Sequence, residues 1–317
     1  MSEPIDHHYV PRFYLSRWAG EDGKICRYSI PFGTEIKTER VSPKGTAFEP
    51  HLYNFLEGSP DSSQNLELDL MKQIDNDAAI VLEKLEMGTI PAKTSPLRKS
   101  WAKFLIAQLL RSPEDVEQLK YSVEEEWTKA EPAIRQKFRQ IRQVVDPIDY
   151  VEFMEQKFPN QLNTLTYDIA KNIYVHDGIS NLYAQCEWSV IEFSDQAYKL
   201  LTSDRPIWST ATMTQDDDFL WLTIGPKKLF ILAPNREIIK QLKLRPRNQL
   251  AKTINGLVAE HAVKFVFGAD DKMRTFVTKY FATKRHSSFL ERLAAMRGNK
   301  IVSPKSPNYG FSALDTN

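Results

Sequence analysis

The sequence predicts an α+β protein with short N-terminal strands, a helical middle, an antiparallel sheet of at least four strands, and C-terminal helices. Three observations carry this. Apolar residues recur at helical spacing over about 64–183, β-branched and aromatic runs separated by turns fill about 186–233, and helical periodicity resumes from Asn235. The 317 residues are 42% apolar and 26% charged, with 42 Lys and Arg against 41 Asp and Glu. That near-neutral composition excludes a disordered or collagen-like chain, and by itself it names no charged partner. No repeat or low-complexity linker divides the chain, so residues 1–300 are expected to form one domain followed by a polar tail, 301–317.

Taken in order, the first elements are short apolar runs between turn residues, at His8 to Trp18, Lys24 to Ile30 and Leu52 to Leu56. Asp61-Ser62-Ser63 caps a helix over about 64–87, whose apolar positions are Leu70, Met71, Ile74, Ala78, Val81, Leu82 and Leu85. Ser95-Pro96 starts a second helix that runs to about Arg111, and Ser112-Pro113-Glu114-Asp115 repeats the signal with acids where the helix dipole favours them. Helical patterning then continues to about Tyr183, interrupted near Pro132 and Pro147. The sheet is expected from Trp188–Phe193, Tyr198–Thr202, Phe219–Ile224 and Lys228–Leu232, and the later helices from Gln249–Phe267, Met273–Lys284 and Ser287–Arg297.

The two cysteines, Cys26 and Cys186, supply neither a disulfide framework nor a zinc box. With no basic-then-apolar leader and no apolar run of about 18 residues, the expectation is a cytoplasmic protein without membrane contact. Phosphate-loop, dinucleotide, GxSxG and HExxH motifs are absent, which argues against nucleotide hydrolases, dehydrogenases, α/β-hydrolases and zincins.

Function therefore turns on polar residues in apolar positions. At about 100° per residue, Glu67 points into the middle of the first helix's apolar stripe and Asp75 lies on its flank. An inward carboxylate needs a cation, a metal or hydrogen-bond donors. Gln108 and Arg111 continue the stripe of the second helix, where an inward arginine calls for a bidentate acid or a phosphate, with Glu67 or Asp204 as the structural partner and an anionic substrate as the functional one. His7 and His8 project to opposite faces of an extended segment, so at most one enters a given site, as metal ligand or general acid/base. Asp204 ends an apolar strand before Arg205-Pro206, a place for a turn or for a catalytic carboxylate. Beyond His261, ten Lys and Arg against four Asp and Glu give a modest basic excess beside Tyr280, Phe281 and Phe289. Such a face fits either a solvated helix or nucleic-acid phosphate.

The run His7-His8-Tyr9-Val10-Pro11-Arg12-Phe13-Tyr14-Leu15, followed by Leu110-Arg111-Ser112-Pro113 and by Leu201-Thr202-Ser203-Asp204-Arg205-Pro206, resembles the microbial domain-of-unknown-function family 4238. Tyr53-Asn54, Glu67 and Asp75 are similar to its intervening segment, with Asp75 where the family often has Glu and Trp18 where Phe is more usual. The resemblance implies a fold and a set of site positions, and it supports placing Glu67 and Arg111 in one site. If the N-terminal arm packs between the first two helices and the sheet edge, His7 or His8, Glu67, Arg111 and Asp204 converge. The first expectation is then a metal-assisted phosphodiester hydrolase, a nuclease serving bacterial defence, in which His8, Glu67 and Asp204 hold Mg²⁺ or Mn²⁺ and Arg111 stabilises charge on nucleic acid or another anionic ligand. The alternative is a non-enzymatic binding or regulatory protein whose same residues form an ion-pair network. A third reading is metal-free proton transfer by Glu67 and His8.

Overall fold

The structure, a computed structural model, describes residues 6–53, 70–143, 149–193, 198–210 and 213–283. Glu67, the expected helix over 287–297 and the tail 301–317 lie outside the described residues. In chain order the elements are β1 (Asp6–His8), α1 (Arg12–Leu15), β2 (Ile25–Ser29), β3 (Lys37–Val41), β4 (Phe48–Pro50), α2 (Lys72–Glu86), α3 (Pro96–Leu110), α4 (Pro113–Ile141), α5 (Tyr150–Lys157), α6 (Gln161–Tyr174), α7 (Asp177–Gln185), β5 (Glu187–Glu192), β6 (Thr202–Ser203), β7 (Ile207–Ser209), β8 (Leu220–Thr223), β9 (Lys228–Ala233), α8 (Arg236–Leu244), α9 (Arg247–His261), β10 (Val266–Gly268) and α10 (Arg274–Tyr280). This is an α+β protein, and all its strand pairs are antiparallel among the described residues. No described helix is long and apolar enough to cross a membrane.

The helix starts follow their caps. Ser95 Oγ accepts from Leu97 N with Pro96 at the first helical position, and Ser112 Oγ accepts from Asp115 N at 3.1 Å with Pro113 in the same place. Helix α3 is buried nearly all round, from Trp101 through Leu110, because α2, α6, α7 and β7 enclose it. Helix α4 runs through Pro132 where the sequence predicted an interruption. The carbonyl that Pro132 leaves without its helical donor belongs to Thr128, an exposed residue on the solvent side of the helix.

A four-stranded sheet in the order β5-β9-β8-β7 divides two apolar cores. Along β9, Phe230 and Leu232 face the core formed with the N-terminal arm and α2–α3, while Leu229, Ile231 and Ala233 face the core formed with α8–α10. Covering on both faces explains why this strand reads as an unbroken apolar run. A second sheet, in the order β3-β2-β10-β6, joins residues 25–41 to residues 202–268, and among the described residues β1 pairs only with β4.

One expected strand and the end of one expected helix are reassigned. Of Tyr198–Thr202 only Thr202 is in a strand, and it belongs to the second sheet, while Ile207–Ser209 takes the fourth place in the first. The reason is Asn255 of α9, whose Oδ1 accepts from Leu201 N at 2.8 Å and whose Nδ2 donates to Lys199 O at 2.9 Å, so a side chain replaces the neighbouring strand. The expected helix to Phe267 stops at His261, and Val266–Gly268 becomes a strand between β2 and β6.

Candidate functional site

The N-terminal arm packs against α3 and the two larger sheets. Tyr14 Oη donates to Thr223 O at 2.7 Å and lies 2.7 Å from Thr202 Oγ1, Trp18 Nε1 donates to Leu200 O at 2.8 Å, and Gln108 Nε2 donates to Tyr9 O at 3.0 Å. These bonds fix the strand that carries the two histidines.

Strand alternation separates His7 from His8. His7 is buried, its ring stacked on Tyr53 with centroids 5.4 Å apart, and its Nδ1 accepts from Tyr53 N at 3.2 Å. His8, on the other side of β1, is half-buried and lies 3.1 Å from Lys44 O through Nε2. A carbonyl only accepts, so Nε2 carries the proton and the Nδ1 lone pair is left without a partner among the described residues. Burial holds the His8 imidazole below its ordinary value, and the positive charges of Arg12 and Arg111 act in the same direction. It is therefore the neutral, basic form that predominates near pH 7.

Beneath the arm lies a satisfied polar cluster. Arg111, wholly buried at the end of α3, donates from Nε to Gln108 Oε1 at 2.9 Å and from Nη1 to Asp75 Oδ1 at 3.0 Å. Gln108 in turn holds Tyr9, so one chain of contacts runs from α2 through α3 to the arm. Burial raises the Asp75 carboxyl above its ordinary value, and Arg111 opposes the rise. Among the described residues the carboxylate that pairs with Arg111 is thus Asp75, the flank residue, and not Asp204, while Glu67 lies outside them.

Asp204 acts elsewhere. Its Oδ1 accepts from Val263 N at 3.0 Å, and its Oδ2 from Phe265 N at 3.0 Å and from Lys264 N. Those three donors follow Ala262, the C-cap of α9, and their capture turns the chain out of the helix and into β10. Burial pushes the Asp204 carboxyl up to about 6, against the pull of the three N–H groups. With both oxygens committed to backbone, Asp204 is poorly suited to ligate a metal. Of the expected trio of His8, Glu67 and Asp204, only the His8 lone pair stands open among the described residues. No group of three or more His, Cys, Asp or Glu there is placed to hold a metal ion.

Two contacts escaped the sequence reading. Lys44, whose carbonyl orients His8, has no side-chain role that a pattern would flag. Arg205 pairs with Glu114 at 3.4 Å across the start of α4, bridging residues far apart in sequence.

The architecture and the buried hub define an α+β protein whose N-terminal His-His arm is clamped onto its central helix. The chain belongs to the family described as protein of unknown function (DUF4238), whose model matches residues 6–272. No curated protein and no solved structure matches it.

Proposed function

We propose that the protein is a phosphodiester hydrolase, a nuclease acting in the cytoplasm in bacterial defence, with His8 as its proton-transfer group. The observation that supports this reading is the His8 imidazole: its Nε2 proton is fixed by the Lys44 carbonyl, its Nδ1 lone pair has no partner among the described residues, and Arg12 and Arg111 supply positive charge nearby. A fixed tautomer and a lowered proton affinity suit a base that removes a proton from water beside a phosphate. Arg111 and Asp75 are positioning residues, since both are engaged with each other and the arginine has no exposed surface. Glu67 is the carboxylate we assign to the same chemistry. Mg²⁺ or Mn²⁺ would polarise the phosphate, with Glu67 as its protein contact, because the one free lone pair of His8 is used by its role as base. Asp204 does not complete that set, because both its oxygens accept from backbone N–H groups.

The test is cleavage of labelled single- and double-stranded DNA and RNA with Mg²⁺, Mn²⁺ or EDTA. His8→Ala should lower cleavage by about 100-fold or more while the protein stays folded. Undiminished cleavage by the folded variant would remove His8 from the reaction.

One observation favours a second reading, a binding or regulatory protein: the cluster of Asp75, Arg111, Gln108 and Tyr9 is mutually satisfied, as a structural network would be. In that case the wild type cleaves no nucleic acid under any of these conditions.

A further inference from the structure

Beside His8 stands an aromatic ring that neither apolar core uses. Phe48 lies directly opposite His8 across the β1–β4 pair, so the two side chains share one side of the ribbon, with ring centroids 5.5 Å apart and planes inclined at 51°. Phe48 is half-buried, yet it packs against neither of the two cores, and among the described residues His8 is its one ring neighbour. At that inclination the imidazole does not stack on the phenyl ring. The surface that Phe48 keeps is therefore presented next to the imidazole.

Backbone fixes this placement. Ala47, just before Phe48, adopts the left-handed region at φ 52°, which an alanine enters only when its surroundings hold it there. What holds it is the arm, since Ala47 O accepts from Tyr9 N at 3.0 Å. The charge nearby is positive. Arg12, the first residue of α1, is exposed and makes no ion pair among the described residues. Its charge acts on the His8 imidazole more strongly than that of Asp6, the acid on the same side of β1. A ring outside the cores, an unpaired guanidinium and an imidazole with an open lone pair thus occupy one end of the arm.

We infer that this surface takes single-stranded nucleic acid, with an unpaired base stacked on Phe48 and the adjoining phosphate held by Arg12 beside His8. The inference rests on the nuclease reading of His8 for its ligand, and it adds the strandedness of the substrate. Within a duplex both faces of a base are covered by its neighbours, so a duplex offers Phe48 a base only after unstacking it. A surface that contacted phosphate alone would not make this distinction.

The experiment is fluorescence anisotropy of the full chain with a short labelled single strand, as DNA and as RNA, and with the duplex of the same sequence, in EDTA so that binding is read apart from metal-assisted cleavage. The single strand should bind at least about tenfold more tightly than the duplex. Phe48→Leu removes the aromatic face at a position outside both cores and should weaken the single strand about tenfold, while Phe48→Trp retains it. Arg12→Gln should reduce the steepness of log K against log salt by about 0.7. Equal affinity for the duplex, unchanged affinity in folded Phe48→Leu, or no binding of either strand form to the wild type would each overturn the inference. Cleavage with Mg²⁺ or Mn²⁺ separates it from the reading on which it rests. Duplex cleavage undiminished in Phe48→Leu overturns the inference and leaves the nuclease, whereas Phe48-dependent single-strand binding without cleavage upholds the inference and removes the nuclease.

Discussion

His7 and His8 are chemically identical and adjacent, yet their surroundings give them different work. The ring of His7 is spent on Tyr53, by stacking and by the bond from its backbone N–H. His7→Ala should therefore cost about 1–3 kcal/mol, since it strands a buried donor, and denaturant unfolding measures this. His8 carries a different prediction. Its proton affinity lies below the ordinary 6.5, and the proposed function makes its neutral form the base, so cleavage should rise with pH along a limb centred below 6.5 and be level by about pH 7.5. A limb centred above 6.5 would point to another group. The sequence made the two histidines inequivalent by strand alternation but left the choice between them open. The decision came from Lys44 O and Tyr53 N, backbone groups that carry no residue-specific signal. Arg111 was legible as an inward cation. Its partner was not, because Asp75 reaches it only through the packing of α2 on α3. Arg111→Met leaves the part-buried Asp75 carboxylate without its cation and should destabilise the fold, by less than the about 3–5 kcal/mol of a fully buried broken pair, with Asp75→Asn recovering part of the loss in a double-mutant cycle.

Elements in this protein end where side chains capture backbone. Asp204 takes the three N–H groups after α9, and Asn255 takes the place of a strand beside Lys199–Leu201. Helix starts were readable from Ser-Pro signals because a cap is a local event. These stops were not, since Asp204 and Val263 are 59 residues apart and Asn255 and Leu201 are 54 apart. Asn255→Leu should lower stability by about 1–3 kcal/mol by leaving Leu201 N and Lys199 O unpaired. Asp204 makes stability depend on pH in a defined direction. Its folded-state value of about 6 stands above the ordinary 3.8, so between these values the folded protein holds more protons than the unfolded chain, and this group's contribution falls as pH rises. The contribution is fully present below about pH 4 and lost by about pH 6. Asp204→Asn should remove that slope, so the stability gap between wild type and variant should narrow from pH 4 to pH 6.5. A gap that widens over the same interval would mean that the three N–H bonds outweigh burial.

At the scale of the molecule, the sheet β5-β9-β8-β7 separates a core built with the N-terminal arm from one built with the C-terminal helices, and β10, flanked on its other side by β6, pairs the late chain with β2 near its start. The α+β class was legible because the change from helical to strand periodicity near Cys186 is a property of the chain itself. The division into two four-stranded sheets was not, because short strands such as Ile207–Ser209 and Val266–Gly268 are defined by their partners. This arrangement holds the arm against α3 and the two larger sheets, so that one imidazole is packed and its neighbour is presented. The most direct test of that claim compares His7→Ala and His8→Ala for both unfolding midpoint and cleavage per folded molecule. The account predicts that His7→Ala lowers the midpoint and keeps cleavage, while His8→Ala keeps the midpoint and loses cleavage. The opposite pattern, with activity lost in His7→Ala and retained in His8→Ala, would contradict it.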